Sequence, residues 1–308
     1  MRIAVLGGAG AMGSVFGGYL ARAGHDVVLI DVWEEAVQEI TRSGLTLENP
    51  DGSRQHIRVK AASSPNGLEP ADLILVLVKC YHTETAVRAA IPLLAASTIV
   101  LTLQNGWGNG ETIAGLVGQE RVLIGVTYHS ATVLGPGHVR HTGRGATYLG
   151  GLDARVGDRA EQVAHALTEA GLLTTATAEV VREIWAKLAL NACTLPTAAL
   201  LGFRAGQLLR HEGTRRLMRA LLEEVVLAAR AAGIELDSQE RWEAVCTLLS
   251  RAADAKPSML QDVERRRRTE IEVINGAVVR LGEAHGIPTP CNRTMVWLVR
   301  ALEETFQG

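Results

Sequence analysis

The chain has 308 residues, 47% hydrophobic and 21% charged: enough apolar material for two ordinary domains, and too much for a disordered chain. Its formal net charge of −2 gives no general pull toward nucleic acid or an acidic membrane surface. The four cysteines (Cys80, Cys193, Cys246, Cys291) form no CxxC pair and have no histidine at zinc-ligand spacing, so no metal site is expected, and a reduced, cytoplasmic protein is.

The N-terminal half alternates short β-rich runs with helical periods. Residues 3–6, 26–30, 72–78, 98–103 and 122–126 read as strands, most of them continuous apolar runs of the kind covered on both faces. The first begins at the chain start and leaves no room for a signal peptide. Helical periods fall between them, at 12–23, 34–41 and 83–95. Asn49-Pro50-Asp51-Gly52 marks a hairpin turn inserted into that pattern. The alternation predicts an α/β fold with a Rossmann-like, doubly wound parallel sheet. Beyond about residue 178 strand signals nearly vanish, and helical periods run from 180 to the end. The expected organisation is therefore a dinucleotide-binding domain at 1–178 and an all-α substrate and catalytic domain at 179–308.

Directly after the first strand comes Gly8-Ala9-Gly10-Ala11-Met12-Gly13, a GxGxxG opening a helix. The first glycine permits the tight turn, the second lets backbone approach a pyrophosphate, and the third lets helix pack closely on strand. The helix N-terminus then faces the negative phosphates. Gly8, Gly10, Ala11, Met12 and Gly13 are accordingly expected to bind NAD(H) or NADP(H). Asp31 ends the second strand, where a carboxylate would accept hydrogen bonds from the adenosine ribose of NAD and repel the extra phosphate of NADP. The alternative for Asp31 is a turn or helix-start aspartate. The strand at 72–78 is followed by Lys79, and the strand at 98–103 by Gln104-Asn105-Gly106-Trp107-Gly108. Lys79 and Asn105 are thus placed at strand carboxyl ends, where α/β sheets bind ligands, although each also suits a local turn.

Residues 184–201 carry a single charge, Lys187. Lys187, Asn191 and Pro196 inside the run argue for a buried core helix rather than a membrane span. Lys187 and Asn191 are one turn apart on one face, and burial would bring the lysine toward the range useful for proton transfer. A lysine reaching back to water is the competing reading. Glu270 is expected in mid-stripe on a helix with Val263, Ile274, Ala277 and Leu281, either meeting an interior cation such as Lys187 or pairing with a neighbouring arginine. The arginines at 265–268 point around a whole helix circumference and read as a solvated surface, not a nucleic-acid site.

Five segments, VLGGAGAMG, VKCYHT, LQNGWG, EIWAKLALNA and SMLQDVERRRRTEIEVINGAVV, resemble in sequence and order the ketopantoate (2-dehydropantoate 2-) reductase family over nearly the whole chain. The resemblance implies a Rossmann domain, a helical domain and an active site between them. It also implies hydride transfer from a nicotinamide cofactor to a 2-oxo acid, as in pantothenate biosynthesis. By matching position, Lys187 is implied as the general acid and Glu270 as its carboxylate partner in the substrate site. Asn191 and Ser258 are implied as substrate-binding, and Asn105 and Lys79 as lining the cofactor and substrate cleft. Three positions depart from the pattern. Leu195 and Ala205 stand where the family commonly has asparagine, so a less hydroxylated 2-oxo acid is expected. Asp31 shifts the cofactor from NADP(H) toward NAD(H). The alternatives are a two-domain hydroxy-acid dehydrogenase with another substrate, or a non-catalytic NAD(P)H sensor, which would have no reason to keep Lys187 and Glu270. No nucleic-acid or membrane partner is expected, and the apolar helices of the second domain serve either a homodimer interface or a core.

Overall fold

The computed structural model describes residues 1–153 and 156–307. The chain divides into two compact units, Met1–Gln104 with Asn109–Val180, and Asn105–Gly108 with Val181–Gly308.

The first unit contains β1 (Arg2–Leu6), α1 (Ala11–Arg22), β2 (Asp26–Ile30), α2 (Glu34–Ser43), β3 (Leu45–Glu48), β4 (Arg54–Ile57), β5 (Lys60–Ala62), β6 (Ala71–Val76), α3 (Thr83–Ala89) and β7 (Leu94–Thr102). It continues with α4 (Asn109–Val117), β8 (Val122–Thr127), β9 (Ser130–Gly135), β10 (His138–Gly143), β11 (Thr147–Gly151), α5 (Gly157–Glu169) and β12 (Thr174–Ala176). The main sheet runs β12-β11-β8-β7-β6-β1-β2-β5, parallel throughout except where β8 meets β11. From β1 the chain winds first to β2 and β5 on one side, then to β6, β7 and β8 on the other. The reversal beside β1 is the topological switch point at which such sheets bind ligands. Ile3, Ala4, Val5 and Leu6 of β1 and Leu73, Ile74, Leu75 and Val76 of β6 are buried, so the central strands are apolar on both faces.

One local expectation is corrected here. The helical period at 83–95 stops at Ala89, with a 3₁₀ turn at Ile91–Leu93 and β7 starting at Leu94. Pro92 lacks the N–H that would continue the helix. A second sheet, β4-β3-β10-β9, joins the Asn49–Gly52 hairpin to a later one through parallel pairing of β3 with β10. Glu48 fastens it, accepting hydrogen bonds from Arg140 at 2.6 Å and Arg54 at 3.3 Å.

The second unit is helical: α6 (Val180–Leu201), α7 (Ala205–Arg210), α8 (Glu212–Ala231), α9 (Ser238–Arg251), α10 (Ser258–Glu264), α11 (Asn275–His285) and α12 (Pro290–Glu304). Among the described residues α6 is the one helix long and apolar enough to cross a membrane, and 78% of that stretch is buried inside the protein. Trp185, Leu188, Ala189, Ala192, Cys193 and Ala198 carry it through the core. Pro196 cannot donate to the carbonyl of Ala192 four residues back. Asn275, at the start of α11, supplies the missing donor, its Nδ2 lying 2.9 Å from the Ala192 oxygen. The same amide donates to Asn292 Oδ1 at 2.9 Å, and Asn292 in turn donates to Glu224.

The helical stripe expected through Val263 and Glu270 does not form. α10 ends at Glu264, Arg266 takes a left-handed φ of 51°, and no regular helix resumes until Asn275. Backbone N–H groups of Arg266 and Arg267 close back on the carbonyls of Val263 and Asp262 at 2.9 Å each, sealing the helix end. The arginines at 265–268 are exposed, as expected, but in this turn rather than around a helix.

Candidate functional site

In the helical unit three of the residues expected to carry chemistry meet. Lys187, half-buried on α6, donates from Nζ to Asn105 Oδ1 at 3.0 Å. Asn105 donates from Nδ2 to Glu270 Oε2 at 3.4 Å. One amide thus faces a cation with its oxygen and a carboxylate with its nitrogen, the only assignment its donor and acceptor chemistry allows. Burial brings the Lys187 amine down to about 8, against the pull of Glu270, which favours the charged form. An amine in that range is charged at neutral pH yet gives up its proton readily, as a general acid needs.

Glu270 is buried although it is not helical, held in a tight turn by its own carbonyl, which accepts from the N–H groups of Val273 and Ile274 at 3.2 Å. Thr269 just before it is fixed by Glu303, whose Oε1 accepts its N–H at 2.7 Å. Asn191 lies one turn beyond Lys187 on α6 and is buried, with Leu195 one turn further and also buried. Ser258 is the first residue of α10 and is exposed, with no hydrogen bond to the other three among the described residues. Ala205 is buried at the start of α7.

Asn105 was expected to belong to the strand-end crevice with Lys79. It follows the carboxyl end of β7 and groups with the helical unit, while Lys79 stays in the first, half-buried at the entry to the 3₁₀ turn Cys80–His82. Two neighbours of the cluster escaped sequence reasoning. Trp107 packs its ring 6.0 Å from that of Trp185 at 50°, and its backbone N–H donates to the Val273 carbonyl at 2.8 Å. The available signal was two of only five tryptophans placed within two residues of Asn105 and Lys187.

In the first unit the glycine loop leads from β1 into α1. No side chain caps that helix, so the N–H groups of its first turn are left to a ligand or water. A side chain at Gly13 would place its Cβ 2.0 Å from the Gly7 carbonyl, and one at Gly8 would meet Leu29 Cα at 2.7 Å. The loop therefore lies flat on the strand ends and presents bare backbone, which fits a pyrophosphate. Asp31, following β2, accepts the Ala9 N–H at 3.0 Å and the Trp33 N–H at 3.1 Å. Its carboxylate is thereby tied to the glycine loop, as a ribose-binding acid requires.

A switch-point dinucleotide loop in one unit and a partly buried lysine facing a carboxylate in the other define a two-unit nicotinamide-dependent oxidoreductase. The comparisons agree: the model of "Ketopantoate reductase PanE/ApbA" matches residues 3–154, and that of its C-terminal domain matches 179–303. The chain belongs to the ketopantoate reductase family. A 2-dehydropantoate 2-reductase of Archaeoglobus fulgidus is 36% identical over 296 residues, 96% of each chain, and one of Halobacterium salinarum is 36% identical over 97% of this chain and 98% of its own. Among solved structures, D-mandelate dehydrogenase with NADH and anilino(oxo)acetate superposes with a TM-score of 0.95 at 30% identity, covering 100% of both chains. The family ketopantoate reductase from Ralstonia eutropha superposes with a TM-score of 0.91 at 37% identity, also covering 100% of both.

Proposed function

We propose that this protein reduces a small 2-oxo acid, 2-dehydropantoate or a relative of it, to the 2-hydroxy acid, with residues 1–178 binding the dinucleotide and 179–308 the substrate. The Lys187–Asn105–Glu270 cluster carries this reading. The glycine loop at Gly8, Gly10, Ala11, Met12 and Gly13 holds the pyrophosphate, Asp31 takes the ribose, and Lys79 and Asn105 line the site. A bound reduced nicotinamide supplies the hydride. Lys187 donates its proton to the substrate carbonyl oxygen and regains one from solvent. Asn105 and Glu270 hold the amine in line, and Asn191, Ser258 and Glu270 orient the substrate. Asp31 favours NAD(H) over NADP(H). The balanced charge supports a protein that works in the cytoplasm without nucleic acid or membrane, and the helical unit supplies the surface of any homodimer.

Leu195 and Ala205 favour a second substrate reading, a 2-oxo acid with an apolar side chain. Both are buried and apolar where the family commonly has asparagine, and a buried hydroxyl without a partner costs about 1–3 kcal/mol. NADH oxidation measured with 2-dehydropantoate and with non-hydroxylated 2-oxo acids separates the two. Lys187→Ala is expected to lose at least a hundredfold in turnover while still binding NADH. Near-normal turnover in that variant would sink the assignment, and NADH binding without oxidation across the panel would favour a sensor. Reduction needs the charged amine, so the wild-type rate is expected to fall as pH rises through about 8.

A further inference from the structure

The segment Asn105–Gly108 belongs to the helical unit although the chain on both sides of it belongs to the other. Its hold on that unit is specific. Gly106 has φ +85°, and a Cβ there would lie 2.3 Å from the Val273 carbonyl oxygen, so the segment lies directly on the backbone that follows Glu270. The next N–H, that of Trp107, donates to the same carbonyl at 2.8 Å. The Trp107 ring then packs against Trp185, which is fully buried and two residues before Lys187. Each anchor therefore sits beside a group that Asn105 must hold: Val273 three residues after Glu270, and Trp185 two before Lys187. Asn105 meets its partners only while its amide keeps one rotation and one position, since sliding by an ångström breaks a 3.0 Å bond. A single side-chain amide on a loop cannot supply that rigidity, whereas an indole seated on a core tryptophan can.

We propose that Trp107 is a positioning residue for the Lys187 amine, its ring anchoring the loop on Trp185 so that Asn105 stays seated between Lys187 and Glu270 and water is kept from the amine. This rests on the reading of Lys187 as the proton donor. The charged neighbour acting on the amine is Glu270, which opposes the effect of burial. Loosening the loop therefore admits water and moves the amine toward the ordinary lysine range.

The test compares Trp107→Ala and Trp107→Phe with the wild-type chain. Trace acetylation of Lys187 by acetic anhydride, followed against pH by mass spectrometry of its peptide, reads the amine without any substrate. The labelling midpoint is expected to rise by about one pH unit or more in the alanine variant and to return toward wild type in the phenylalanine variant. In NADH-driven reduction the alkaline limb should move up with it. Turnover should fall about tenfold, while the Michaelis constant for NADH stays within about twofold. An unchanged labelling midpoint in folded Trp107→Ala overturns the proposal. Should that variant fail to fold, Trp107→Leu takes its place, and failure of both to bind NADH also overturns it, leaving a purely structural anchor. Retained turnover in Lys187→Ala would remove the catalytic reading instead, and an inactive Lys187→Ala beside an unmoved Trp107→Ala midpoint would remove only the anchor.

Discussion

A carboxylate that already accepts two backbone N–H groups has its orientation set before any ligand arrives. Asp31 is such a group, with one oxygen on Ala9 and the other on Trp33. Each oxygen keeps a further lone pair, enough for two ribose hydroxyls. A 2′-phosphate in the same place would stand within a few ångströms of a fixed negative charge, a repulsion of about 1–4 kcal/mol at 4 Å depending on how much water intervenes. Asp31→Asn removes the charge and keeps the size. Its ratio of kcat/KM for NADH to that for NADPH is expected to drop about tenfold or more relative to wild type, through faster use of NADPH. Affinity for both dinucleotides should fall as well, because an amide cannot accept from Ala9 and Trp33 at once. Kinetics with both cofactors would decide the matter. An unchanged ratio would reduce Asp31 to a turn residue, the reading that competed with cofactor binding from the outset.

At the scale of elements, α6 continues through the core past Pro196, and the start of another helix supplies the donor lost there. Asn275→Ala would orphan the Ala192 carbonyl and the Asn292 Oδ1 together, both buried. A loss of about 1–3 kcal/mol for each unpaired group is expected in urea denaturation, and an unshifted midpoint would mean that water or a relaxed α6 takes up the slack. The same scale shows what sequence patterning reaches. The strands beside β1, the glycine loop and Lys187 are legible because each is announced within a few residues. Lys187 stood out because α6 is a true helix, so a face could be counted. Glu270 was found by counting a helix that is not there. α10 stops at Glu264 without the glycine or proline that usually marks a stop, a left-handed Arg266 turning the chain instead, and the burial of Glu270 comes from the turn after it. The pairing of β3 with β10 was out of reach for a different reason. It joins residues as far apart as Glu48 and Arg140, which no local period can report.

Each unit has its own core, and the first carries a built-in sensitivity to acid. Beneath α1, His129 Nδ1 lies 3.0 Å from His141 Nε2, His141 Nδ1 lies 3.2 Å from the Tyr19 hydroxyl, and that oxygen also meets Asn49 and Arg144. If Tyr19 donates to Asn49, His141 donates to Tyr19 and His129 to His141; if Tyr19 donates to His141, the chain reverses. Both patterns keep both imidazoles neutral, and a further proton would have to be shared beside the Arg144 charge. Burial, with His141 and Arg144 adding to it, brings His129 down to about 4, and His141 is lowered by burial and Arg144. An unfolded histidine takes up its proton near pH 6.5 and folded His129 does not until about pH 4, so the unfolded chain binds more protons in between, and the lowering of His141 acts in the same direction. Stability contributed by His129 is complete above pH 6.5 and is lost as pH falls toward 4, at up to about 1.4 kcal/mol per pH unit. Calorimetry between pH 7 and 4.5 should therefore show a transition that moves down with acid, and under the proposed assignment of the dinucleotide to the first unit saturating NADH should move it up. His129→Gln is expected to flatten the slope of that transition whatever it does to its height. A slope unchanged in the variant would assign the acid lability to the surface carboxylates instead.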